Sequence, residues 1–200
     1  SSAASDVYKR QGIATSREAI FVDSDDLGWR NVIFAHEFEH LLHNARDPLE
    51  YAWIDEGAAD MAAFLVLGAE GSLIGHSNGW ASNASCSVRW WNQRADCDYG
   101  AGFLFMLYLA DKLGGGQAIQ SLVSDTATGG ASIENLARNP VPGSPANIGT
   151  TMDEIFANFT AAAVLDSQQG RYGFSNIDMG GTCGGSSFCK LQLTLSLIHI

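Results

Sequence analysis

The chain has 200 residues, of which 46% are hydrophobic and 16% charged, enough for one domain with a real core. Its formal net charge of −11 repels polyanions and argues against nucleic acid as a partner. The apolar run at residues 58–67 is too short to span a bilayer.

The two ends are related to each other. One back-translation of Asp6 to Gln11, DVYKRQ, is GAT-GTG-TAT-AAG-AGA-CAG, and its reverse complement translates as LSLIHI, which is Leu195 to Ile200. Such an inverted pair resembles the transposon-end adapter of sequencing libraries, read as coding sequence. Residues 1–11 and 195–200 are therefore expected to be adapter-derived tails, with the origin of residues 1–5 open. Residues 12–178 are expected to form the main domain, cut at its N-terminus, and 179–194 a Gly- and Cys-rich segment that opens a following module. Without Asp6, Lys9 and Arg10 the remaining chain carries −12. No signal peptide or propeptide can be read or excluded from such a chain.

The run AIFVD, residues 19–23, is short and β-rich and predicts a strand, with turn residues following in SDDLGW. From Val32 apolar positions interleave with histidines in a helical pattern that Pro48 terminates. A second helix is expected from Trp53 to Leu67, closed by Gly68. Residues 69–98, rich in Gly, Ser and Asn, read as a long loop. YGAGFLFMLYLADKLGG predicts a third helix, apolar on most faces and ended by the glycines at 114–116. QAIQSLVSD, SIENLAR and MDEIFANFTAAAVLD predict three more, with Ser132 as the N-cap of the middle one. The glycine-rich stretch after Asp166 reads as β. Of three possible cysteine pairings, Cys86–Cys97 with Cys183–Cys189 is preferred, and reduced thiols are the alternative. Neither spacing is CxxC, which disfavours structural zinc. An acidic, lysine-poor chain favours export, so the expected compartment is extracellular.

The chemistry is concentrated in HEFEHLLH, residues 36–43. His36 and His40 are four apart, so on a helix their imidazoles project from one face and can share one ion. With Glu37 between them this is H-E-x-x-H: two neutral imidazoles hold zinc, and the glutamate is the general base toward the attacking water. His43 lies seven residues from His36, about 10 Å along a helix axis, too far to join the same ion, and reads as a packing or rim histidine. The metzincin pattern fails, because its glycine position is His43 and its last histidine position is Arg46. Downstream, WIDEGAAD repeats the i,i+4 spacing with Glu56 and Asp60. Glu56 is the candidate third ligand, and Asp60 the carboxylate behind a metal-bound histidine, most plausibly His36. Asp55 reads as a cap or solvent-facing acid and Glu39 as solvated. Calcium has only DSDD, residues 23–26, in its favour, and that does not match an EF-hand loop.

AHEFEHLLH, WIDEGAAD and YGAGFLFMLYLADKLGG together resemble the gluzincin zinc metallopeptidases, most closely secreted bacterial enzymes of the hyicolysin and immune-inhibitor-A-like kind. The resemblance runs from about residue 20 to 178. It implies an α+β, zincin-like catalytic domain with a mainly helical C-terminal part, its N-terminal sheet truncated here. It implies one zinc on His36, His40 and Glu56, with Glu37 as base and Asp60 behind the ligands. It also implies that Tyr99 hydrogen-bonds the oxyanion, a task for which Tyr108, Tyr172 and His76 are weaker candidates. The expected activity is endopeptidase action on protein or peptide substrates. The alternatives are a silent binding or adhesion module and an aminopeptidase, and the oligomeric state is open.

Overall fold

The computed structural model describes residue 20 and residues 29–83, 86–92, 97–145, 147–167, 169–183 and 185–191. Among them are seven helices: α1 (Arg30–Asn44), α2 (Ala52–Leu67), α3 (Gly71–Ala81), α4 (Cys97–Leu113), α5 (Gly116–Val123), α6 (Gly130–Arg138) and α7 (Met152–Leu165). This overturns the α+β, zincin-like expectation. The described residues form no strand, and their one sheet-like pairing is an antiparallel bridge between Gly180 and Cys189. After Asp166 the Cys183–Cys189 disulfide closes a ring across a separation of six residues. So small a ring leaves no room for a ladder, and its glycines offer no side chains to pack on one. The strand read at 19–23 and the DSDD stretch lie, Ile20 apart, outside the described residues.

α4 forms the centre. From Gly100 to Leu113 every residue is buried, as expected of a helix with no polar face. Its two late charges compensate each other, Lys112 Nζ lying 2.7 Å from Asp111. α2 and α3 pack directly on it. α7 closes the bundle through Phe159, whose ring meets Trp80 of α3 at 5.4 Å and Phe105 of α4 at 5.1 Å. Burying such a ring stabilises by roughly 1.5–3 kcal/mol.

The helix ends follow local chemistry. α2 stops at Gly68, which has φ +82. α7 opens with a capping box: the Thr151 side chain accepts from the Glu154 N–H, and Glu154 accepts from the Thr151 N–H. Ser132 does not cap α6, which begins two residues before it; its hydroxyl donates to the Gly129 carbonyl. The Glu50 carboxylate, from the turn after α1, instead accepts from the Gly129 N–H at 2.7 Å.

Residues 69–98, expected as one loop, contain α3. Glycines and serines give GSLIGHSNGWA little intrinsic helicity. Leu73, Ile74 and Trp80 are nonetheless buried in the core, and that tertiary burial holds the helix. The remainder is tied down by the Cys86–Cys97 disulfide and by Trp80, whose indole N–H donates to the Cys86 carbonyl at 3.1 Å. Both expected disulfides are formed and no cysteine is free, which fits an oxidising, extracellular environment. Among the described residues no helix is long and apolar enough to cross a membrane.

Two glycine contacts set how closely the site-bearing helices approach. A Cβ on Gly57 of α2 would lie 2.8 Å from the Gly102 backbone of α4, and one on Gly100 would overlap the His76 carbonyl of α3. α1 packs on α2, while Phe34, Phe38 and Leu42 on its outer face are about half exposed.

Candidate metal centre

Three donor atoms from α1 and α2 converge. His36 Nε2 lies 3.1 Å from His40 Nε2 and 3.2 Å from Glu56 Oε2, and His40 Nε2 lies 3.5 Å from the same oxygen. The histidines come from one face of α1, a turn apart, and Glu56 from the first turns of α2. Ligands of a tetrahedral ion with bonds of about 2.0–2.1 Å are about 3.3 Å from one another. The three separations match that figure, so the residues present fit a single small cation. Two ring nitrogens and a carboxylate oxygen are also the donor types that zinc takes.

Behind His36, Nδ1 is held by Asp60 Oδ1 at 2.8 Å. Asp60 is buried, and its second oxygen meets His76 Nδ1 at 2.9 Å. His76 sits on α3, inside the stretch read as loop, and joins the site through Asp60. Behind His40 stands Asp55, expected to be a cap or a solvent-facing acid. Its Oδ1 lies 3.2 Å from Nδ1 of both His40 and His43. Neither ring N–H is aligned for a full hydrogen bond, so these contacts are charge pairings. Glu39, expected in solvent, is only 6% exposed and reaches His43 Nδ1 at 3.4 Å. His43 itself is 1% exposed: it packs, as expected, but among carboxylates.

The carboxylates dominate the electrostatics. Burial opposes charge on His36, yet Asp60 and Glu56 outweigh it and hold its pKa up at about 9. Burial likewise opposes charge on His40, and Asp55 with Glu56 raises it to about 11. His43 is raised to about 9 by Asp55 and Glu39 against the same burial penalty. In return, and despite burial, the imidazoles hold Asp55 and Glu56 below the usual carboxylate range and Asp60 down at about 2. The site is built to hold positive charge.

Tyr99 stands beside these groups at the start of α4. Its ring packs on Trp91 at 4.8 Å, His76 at 5.2 Å and His36 at 6.2 Å. Burial, and then the charges of Glu56 and Asp60, push its phenol well above the usual range. The group therefore keeps its proton and is available as a donor. Glu37 is half-buried on α1, and its charge is felt at the Tyr99 phenol. Tyr108 is turned elsewhere, its hydroxyl donating to the Arg171 carbonyl at 2.8 Å, and Tyr172 is exposed.

The structure thus brings His36, His40, Glu56, Asp60 and Tyr99 together and sets Glu37 at their edge. Sequence reasoning gave Asp55 and His76 other roles, a cap or solvent-facing acid and an oxyanion donor, and did not place either behind a histidine or aspartate of the site. Asp55 precedes a proposed ligand in the chain, a signal open to two readings. His76 had no spacing to mark it. No protein-family model matches this chain, and no match is found among curated proteins.

Proposed function

We propose that this chain is a secreted zinc-dependent endopeptidase of the gluzincin kind, hydrolysing internal peptide bonds with Glu37 as general base. The observation that supports it most is the convergence of His36 Nε2, His40 Nε2 and Glu56 Oε2 at 3.1, 3.2 and 3.5 Å with Asp60 behind His36. When bound, zinc supplies Lewis acidity that polarises a carbonyl and makes water a competent nucleophile near neutral pH. The chain's own residues do the rest. Asp60 fixes the His36 tautomer. Glu37 takes the proton of the attacking water and passes it to the leaving amine. Tyr99 donates its phenolic proton toward the oxygen that becomes negative as the carbonyl carbon turns tetrahedral. The two disulfides support export, and a peptide is the substrate class to which this base, donor and Lewis acid are suited.

The purified chain is expected to bind about one zinc, and casein hydrolysis should vanish on chelation and return with zinc. Hydrolysis that survives chelation would remove the zinc mechanism, and zinc binding without hydrolysis would leave a binding module. Metal affinity should also depend on pH. The surrounding carboxylates raise the proton affinity of His36 and His40 against the opposing effect of burial, so zinc competes with protons for their ring nitrogens. Affinity should therefore rise with pH, by up to ~100-fold per unit where two protons leave. Competition titrations between pH 6 and 8 read this slope, and a flat profile contradicts it.

A further inference from the structure

We propose that His43 and Asp55 form a couple that positions His40 for metal binding, an inference that rests on the reading of the site given above. His43 is the most deeply buried histidine of the chain's described residues, 1% exposed, and the proposed chemistry makes no use of it. It lies too far along α1 to reach the converging donor atoms. What it touches is Asp55: Oδ1 of that carboxylate sits 3.2 Å from Nδ1 of His43 and 3.2 Å from Nδ1 of His40. Glu39 Oε1 lies 3.4 Å from the same His43 nitrogen, so both carboxylates face Nδ1.

A carboxylate charge facing Nδ1 of His40 favours the proton on that nitrogen and leaves the lone pair on Nε2, the atom that points at His36 and Glu56. Asp55 is only partly buried, at the start of α2, so it needs an anchor to hold that direction, and His43 supplies one from the next turn of α1. The opposite ligand also has an aspartate and a second histidine behind it, there joined by hydrogen bonds: Asp60 takes His36 Nδ1 on one oxygen and His76 Nδ1 on the other. Each ligand histidine is thus backed by an aspartate, and each aspartate by a further histidine that never approaches the metal position. Asp55 and His43 are positioning residues.

The test is zinc affinity of the full chain, by competition with a chromophoric chelator, and the visible spectrum of the cobalt-loaded form. Asp55→Ala should weaken zinc about 10–100-fold and alter the cobalt bands, the range usual for losing the group behind a ligand. His43→Leu should weaken it in the same direction, and His43→Asn, which keeps a polar N–H toward Asp55 but no charge, should recover part of the loss. Because His43 acts through Asp55, the double variant Asp55→Ala/His43→Leu should bind no more weakly than Asp55→Ala alone. Asp55→Ala with unchanged zinc affinity, or losses that multiply in the double variant, would overturn the couple. An unsubstituted chain that binds no zinc would overturn the site reading and this inference with it. Should His43→Leu fail to fold, Asp55→Ala against His43→Asn still decides, since a sparing effect of Asn at 43 is required.

Discussion

Glu37→Gln is expected to lower peptide hydrolysis by about 10²–10⁴-fold while leaving zinc bound, the size of effect usual for a general base. Glutamine has the shape of glutamate and still hydrogen-bonds, but it cannot take up a proton. Glu37 is not one of the three side chains whose donor atoms converge, so its substitution removes no ligand. The pairing of two measurements on one sample gives the test its force: turnover of a quenched fluorescent peptide, and zinc content by mass spectrometry. Wild-type turnover in the variant would sink the assignment of the base. Loss of zinc along with turnover would instead make Glu37 part of the metal's support. Glu56→Ala should separate cleanly from it, losing both together.

Gly100→Ala should be the most destabilising single methyl addition near the site. The new Cβ would overlap the carbonyl of His76, and that neighbour is backbone, unable to rotate away. Overpacking of this kind costs about 1–3 kcal/mol and more where the backbone must move. α3 would be driven from α4, parting His76 from Tyr99, whose rings now stand 5.2 Å apart. Urea unfolding reads the loss directly. Gly75→Ala, on the facing helix α3, is the control: nothing lies within 4 Å of its added Cβ, so it should stabilise by roughly 0.5–1 kcal/mol through backbone entropy alone. Equal effects from the two substitutions would refute the close approach.

These predictions also show what the sequence could and could not carry. His36 with His40 and Glu56 with Asp60 were legible because four-residue spacing on a helix is itself a statement of geometry. The stop at Gly68 and the apolar length of α4 were legible for the same local reasons. α3 was not, since GSLIGHSNGWA owes its helix to the burial of Leu73, Ile74 and Trp80 rather than to propensity. Nor were the roles of Asp55, His43 and His76, which depend on which helix lies against which. The expected sheet failed for a different reason. It came from resemblance, and the one described stretch read as β was instead closed into a small ring by a disulfide.

The Cys86–Cys97 bridge has a consequence for where the protein can be made. Cys97 is the first residue of α4, and Tyr99 stands two residues on. α1 and α2, which supply His36, His40 and Glu56, contain no cysteine. The two halves of the site therefore make different demands on the cell. A reducing cytoplasm would still yield the metal-gathering half, whereas the tyrosine would stand on an untethered helix start, so a recombinant product could take up zinc in full and yet turn over poorly until it is oxidised.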